Sequence, residues 1–148
     1  MDAIAEFNAL LFERLLPEFC LDPSRGYALD RFRTSSNRIH EIDAFNFCRA
    51  WHGGLIEHIG RGQYRAALSS ASEQFFWNLK SGASTEITLW HEPIITVGAL
   101  ARLHFDFGWP RGLLGMQSKD WAFDVFAQQS PDSVAEAIAC EIKKTDKE

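Results

Sequence analysis

The residues of this chain best placed to do chemistry are Arg102, His104 and Asp106, which alternate with Leu103 and Phe105. In extended chain, positions i, i+2 and i+4 project from one face about 7 Å apart, so the three side chains would point the same way. A histidine titrates near neutral pH. Beside a carboxylate and a guanidinium it can serve as a general base next to an anion anchor. The same spacing also arises where a strand leaves the core and its outward residues turn polar, solvated or salt-bridged. Which reading holds depends on the elements that carry these residues.

Over 94–107 the residues Ile95, Val97, Ala99, Ala101, Leu103, Phe105 and Phe107 occupy one set of alternating positions. The other set, Ile94, Thr96, Gly98, Leu100, Arg102, His104 and Asp106, becomes more polar toward its end. This alternation predicts a long strand whose C-terminal end is wet. Short apolar runs at 86–90 and 113–117 read as its antiparallel neighbours, and Trp121, Phe123, Val125 and Ala127 as a further alternating strand.

Upstream, Ile4, Phe7, Leu11 and Leu15 recur at helical spacing, and Ala9, Phe12, Leu16 and Phe19 widen the stripe. A first helix is expected from Asp2 to about Leu16, broken by Pro17, with one side on the sheet and the other on a second subunit. A short edge strand is expected at 27–33. A helix is read over 37–59 through Ile39, Ile42, Phe45, Cys48, Leu55 and Ile59, interrupted at Gly53-Gly54, where each glycine costs roughly 1 kcal/mol against alanine. Gly60-Arg61-Gly62 reads as a connector to another helix through Tyr64, Leu68, Ala71, Phe75 and Leu79, ended by Gly82. Ser130-Pro131-Asp132 carries the start signals of a closing helix with Val134, Ala135, Ile138 and Ile142 on its apolar face and Lys143, Lys144 and Lys147 at its end. The assembled expectation is one α+β domain over 1–148, with N-terminal helices packed on an antiparallel, curved sheet of about four strands and a C-terminal helix.

The 148 residues suffice to bury one sizeable core, and 12 Phe with 5 Trp supply large apolar side chains for it. A net charge of −5 and the lack of any basic run with interleaved aromatics speak against nucleic acid as a partner. Cys20, Cys48 and Cys140 lie far apart without a Cys-x-x-Cys spacing, so they read as reduced thiols of a cytoplasmic protein. No apolar stretch of about 18 residues and no basic leader is present, and neither a membrane span nor export is expected.

Other motifs are weaker. His52-Gly53-Gly54 resembles part of the His-Gly-Gly oxyanion loop of lipases and esterases, without a Gly-x-Ser-x-Gly nucleophile elbow anywhere, so close packing or a kink is the expected role. Asp106-Phe107-Gly108 resembles the magnesium-binding signature of protein kinases, but no His-Arg-Asp loop accompanies it. His40, Asp43, His52, Glu57, His58, His91 and Glu92 are metal-ligating residue types in no diagnostic pattern, so neither a metal nor another cofactor is expected.

Five tryptophans exceed casual surface placement. Trp109, in a Gly/Pro turn, is expected to touch a ligand or partner together with Leu100 and Trp90. The functional expectation is a noncatalytic binding or interaction protein, self-associating as a dimer, with an aromatic-rich sheet surface or pocket for a protein or small molecule. In size and acidity it is similar to small bacterial accessory proteins such as immunity proteins and products of mobile gene cassettes. The competing expectation is a small cup-shaped α+β enzyme using His104 and Asp106 as an acid–base pair, with Arg102, on a compact apolar substrate.

Overall fold

The first helix starts where the sequence places it, because the Asp2 carboxylate accepts a hydrogen bond from Ala5 N–H at 2.8 Å and caps it. It does not stop at Pro17. Helix α1 (Ala3–Leu10) widens into a π-helical turn over Leu11–Leu15, in which Leu16 N–H reaches back to Leu11, and continues as α2 (Leu16–Phe19). A proline lacks the amide that the next α-helical bond would use, and the wider turn takes up the mismatch. The computed structural model describes residues 2–78, 86–118, 123–133 and 135–144.

The remaining elements are α3 (Glu41–His52), β1 (Ile56–Gly60), β2 (Gln63–Ala66), β3 (Glu73–Gln74), β4 (Phe76–Asn78), β5 (Ile87–Leu89), α4 (His91–Ala101), β6 (Leu114–Met116), β7 (Val125–Ala127) and β8 (Ile138–Cys140). The chain is therefore α+β. Among the described residues the strands form three antiparallel sheets, β1-β2-β3, β4-β5 and β6-β7-β8, in place of the single sheet of about four strands expected from the sequence. Backbone bonds join their edges: Phe75 N–H to Gly62, Trp90 N–H to Phe75 and Leu68 N–H to Leu114.

The largest correction concerns 94–107, which is helical. α4 runs into a second π-helical turn over Arg102–Asp106, and Gly108, at φ +76°, ends it. The buried residues Ile94, Val97, Leu100 and Ala101 follow helical spacing. β-branched residues at 94–97 imitate a strand, but fourteen residues exceed ordinary strand length, and Pro93 sits in the first helical turn, where it is tolerated. α4 lies parallel to α3. A Cβ on Gly98 would come within 3.1 Å of the Asn46 side chain, so glycine permits this close approach.

Four further expectations are corrected. The helix read over 64–79 is replaced by β2, β3 and β4, with Leu79 and Gly82 outside the described residues. Arg61 and Gly62 both have positive φ, the requirement of a tight hairpin turn, so Gly60-Arg61-Gly62 folds β1 back onto β2. The closing helix is replaced by a turn at 130–133 and by β8, in which Ile138 and Cys140 alternate with Ala139 and pair with β7. Val134 and Lys147 lie outside the described residues, as does Trp121. The segment 27–33 forms 3₁₀ turns, with Phe32 alone bridging to Ile87. The helix read over 37–59 ends at His52, with β1 following the glycine pair.

The core is one cluster. α1 packs on α3, with Phe7 edge-on to Phe47 at 5.4 Å, and Phe19 meets Phe76 at 5.0 Å on the other flank. Both sides of the first helix are thus covered within the chain, apart from Phe12, whose half-exposed ring leans on Phe32. Tyr64 stacks on Phe75 at 4.0 Å. No helix among the described residues is long and apolar enough to cross a membrane.

One polar tie anchors α2 to β1: His58 Nδ1 lies 3.0 Å from the Glu18 carboxylate, and its ring is flanked by Trp51 and Phe75. Burial pushes the imidazole below its ordinary pKa, although Glu18 pulls it up, and Nε2 is buried without a partner. The native state therefore binds fewer protons than the unfolded chain as pH falls below about 6.5, and stability should decline there. Thermal unfolding of His58→Gln is expected to show a shallower loss between pH 7 and pH 5 than the parent. Parallel curves would remove this residue from the acid response.

Candidate functional site

Arg102 and Asp106 still meet, but not as the strand reading requires. A separation of four residues returns to the same face in a strand and nearly so in a helix, whereas a separation of two does so only in a strand. Arg102 Nε accordingly lies 3.7 Å from Asp106, while His104 turns away and its Nδ1 sits 2.7 Å from the Trp109 carbonyl. Asp106 engages Arg49 of α3 through two parallel bonds of 2.9 and 2.8 Å. Those hydrogen bonds, with the charges of Arg49 and Arg102, hold its carboxyl below the usual range. No hydrogen bond joins His104 to Asp106 among the described residues, so the expected acid–base pair is not assembled.

Arg49 is the residue the sequence reading missed. Its guanidinium lies 5.1 Å from the centre of the Phe45 ring and 5.3 Å from that of Phe105, and the two aromatic contacts with the Asp106 fork fix it in place. The π-helical turn carries Phe105 onto the C-terminal end of α3, where a Cβ on Gly53 would come within 2.7 Å of its ring. Gly53 thus serves close packing. The amides of Gly53 and Gly54 donate to Arg49 and Trp51 carbonyls, so neither is free to act in an oxyanion hole.

The exposed face of α3 also differs from expectation. Ala44, Phe47, Cys48 and Ala50 are buried, whereas Ile42 is 62% and Phe45 50% exposed. Phe45 and Phe47, two residues apart, cannot share a helix face, which is the signal that could have found this stripe. Phe105 at 45% and Phe107 at 66% extend it beyond α4. The C-terminal end of the α3–α4 pair therefore displays an apolar, aromatic patch, Phe45, Phe105 and Phe107, around a neutralised arginine, with Ile42 toward the other end.

The contact residues expected from the sequence are scattered. Leu100 is fully buried in the core, and Trp109 is half-buried against it. Trp90 is 41% exposed at the opposite end of the helix pair, on a groove of about 340 Å³. Among the described residues no three His, Cys, Asp or Glu side chains converge as metal ligands do. No family model, no curated protein and no solved structure matches the chain.

Proposed function

We propose that the protein is a self-associating binding protein that contacts a second copy of itself through the Phe45, Phe105 and Phe107 face. The observation that carries this reading is the immobilised Arg49 between two half-exposed phenylalanines, since arginine among aromatics is the composition of interface hot spots. Charge favours a like partner here. The chain carries −5 overall, whereas this patch sets Arg49 and Arg102 against Asp106 and so adds no net negative charge to the contact. Across a two-fold axis, Arg102 of one copy can face Asp106 of the other without juxtaposing like charges.

Sedimentation at micromolar concentration is expected to show a concentration-dependent dimer. Phe45→Glu combined with Phe107→Glu should raise its dissociation constant at least about 100-fold while leaving the circular dichroism spectrum intact. A parent protein that sediments as a monomer throughout this range, or a dimer indifferent to the double substitution, would overturn the proposal.

A further inference from the structure

The groove beside Trp90 lies at the end of the helix pair remote from the proposed dimer face. Its walls include Arg33, Ser36, Trp90, His91, Glu92 and Lys144. At about 340 Å³ it lies at the small end of the range of ligand sites. Two cations against one carboxylate give this lining a formal surplus of +1 on a chain of net charge −5.

Among the described residues the cationic donors of the groove have no acidic partner. Arg33 uses its Nε on Ser35 Oγ at 3.1 Å, and among the described residues its terminal amino groups donate no hydrogen bond and neither Arg33 nor Lys144 forms an ion pair. The one acid, Glu92, lies within electrostatic range of Lys143. By contrast the framework is held firmly: Ser36 Oγ accepts from Leu89 N–H at 3.1 Å and donates to the Arg33 carbonyl, and His91 Nε2 contacts the Ser36 carbonyl. A fixed wall with cationic heads that pair with no described acid is what a ligand of opposite charge needs, because little must be reorganised when it enters.

We infer that this groove binds a small planar aromatic carboxylate, its ring against the Trp90 indole and its carboxylate between Arg33 and Lys144. The indole supplies an apolar face for ring stacking. The planar guanidinium of Arg33 matches a carboxylate with two parallel hydrogen bonds. Neither contact alone selects this class. An uncharged arene forgoes the cations, and a simple anion forgoes the indole.

Isothermal titration with 2-naphthoate tests this, with 2-naphthamide and inorganic phosphate as the uncharged and non-aromatic comparisons. One-to-one saturable binding of naphthoate is expected, at least about tenfold tighter than either comparison. Arg33→Gln and Trp90→Ala should each weaken it about tenfold or more, and Arg65→Gln, at a residue that pairs with Glu57 and does not line the groove, should not. All four side chains are solvent-exposed, and matched urea midpoints establish that the variants fold; Lys144→Gln substitutes for Trp90→Ala if that variant does not. Absence of saturable binding at millimolar naphthoate, equal affinity for phosphate, or affinity unmoved by Arg33→Gln would overturn the assignment. Because Arg33 and Trp90 lie away from the dimer face, sedimentation of the same variants separates this result from the self-association reading.

Discussion

Phe47→Ala is expected to lower the free energy of unfolding by about 3–5 kcal/mol, the range for truncating a fully buried phenylalanine. The ring is completely inaccessible, edge-on to Phe7 at 5.4 Å and to Phe75 at 5.5 Å, and stacked with Trp51 at 6.3 Å. It joins α1, α3 and the segment linking β3 to β4, so the groups around the vacated space belong to three elements and cannot all collapse toward it. Against a total stability of about 5–15 kcal/mol for a typical domain, such a loss is a large fraction. Urea denaturation with an unchanged slope would measure it. A loss below about 1.5 kcal/mol would mean that α1, α3 and the sheets do not share this core.

Gly62→Ala is expected to cost about 2–4 kcal/mol for two separable reasons. Its φ of +73° disfavours any Cβ, and a Cβ there would lie 2.9 Å from the Phe76 ring and 3.2 Å from the Phe19 ring, both buried. Gly26 supplies the comparison, because its φ of +75° is nearly the same while nothing lies within 4 Å of an added Cβ. Gly26→Ala should therefore cost only the backbone strain, about 1 kcal/mol. The excess at Gly62 measures how tightly the β1-β2 hairpin is pressed against α2 and β4. Equal losses at the two sites in urea titrations would show that the hairpin does not press on those rings.

The candidate site was legible in the sequence only in part, and the reason is geometric. Arg102 and Asp106 remain neighbours because four residues span a repeat of both regular structures, so their pairing survives the change from strand to helix. His104 does not, because a separation of two residues turns it to another side of the helix, where its ring meets the Trp109 carbonyl. Arg49 lies 56 residues before Phe105 and 57 before Asp106, its partners in the π-helical turn, and no local spacing announces a contact of that range.

By itself the sequence determined where apolar mass accumulates and where the chain must turn. The mixture of helix and antiparallel strand, the start of the first helix at Asp2 and the short strands near 87–89, 114–116 and 125–127 follow from helical periodicity and from apolar runs bounded by glycine, proline and polar residues. The tertiary structure decided the segments whose local signals point both ways. In 94–107 nearly every apolar residue satisfies either period, and α3, with Asn46 set against Gly98, supplies the surface on which only the helical stripe Ile94, Val97 and Leu100 can be buried. At 138–140 the start signals of a helix give way to the open edge of β7, which satisfies the backbone of an alternating apolar run better than an isolated terminal helix can.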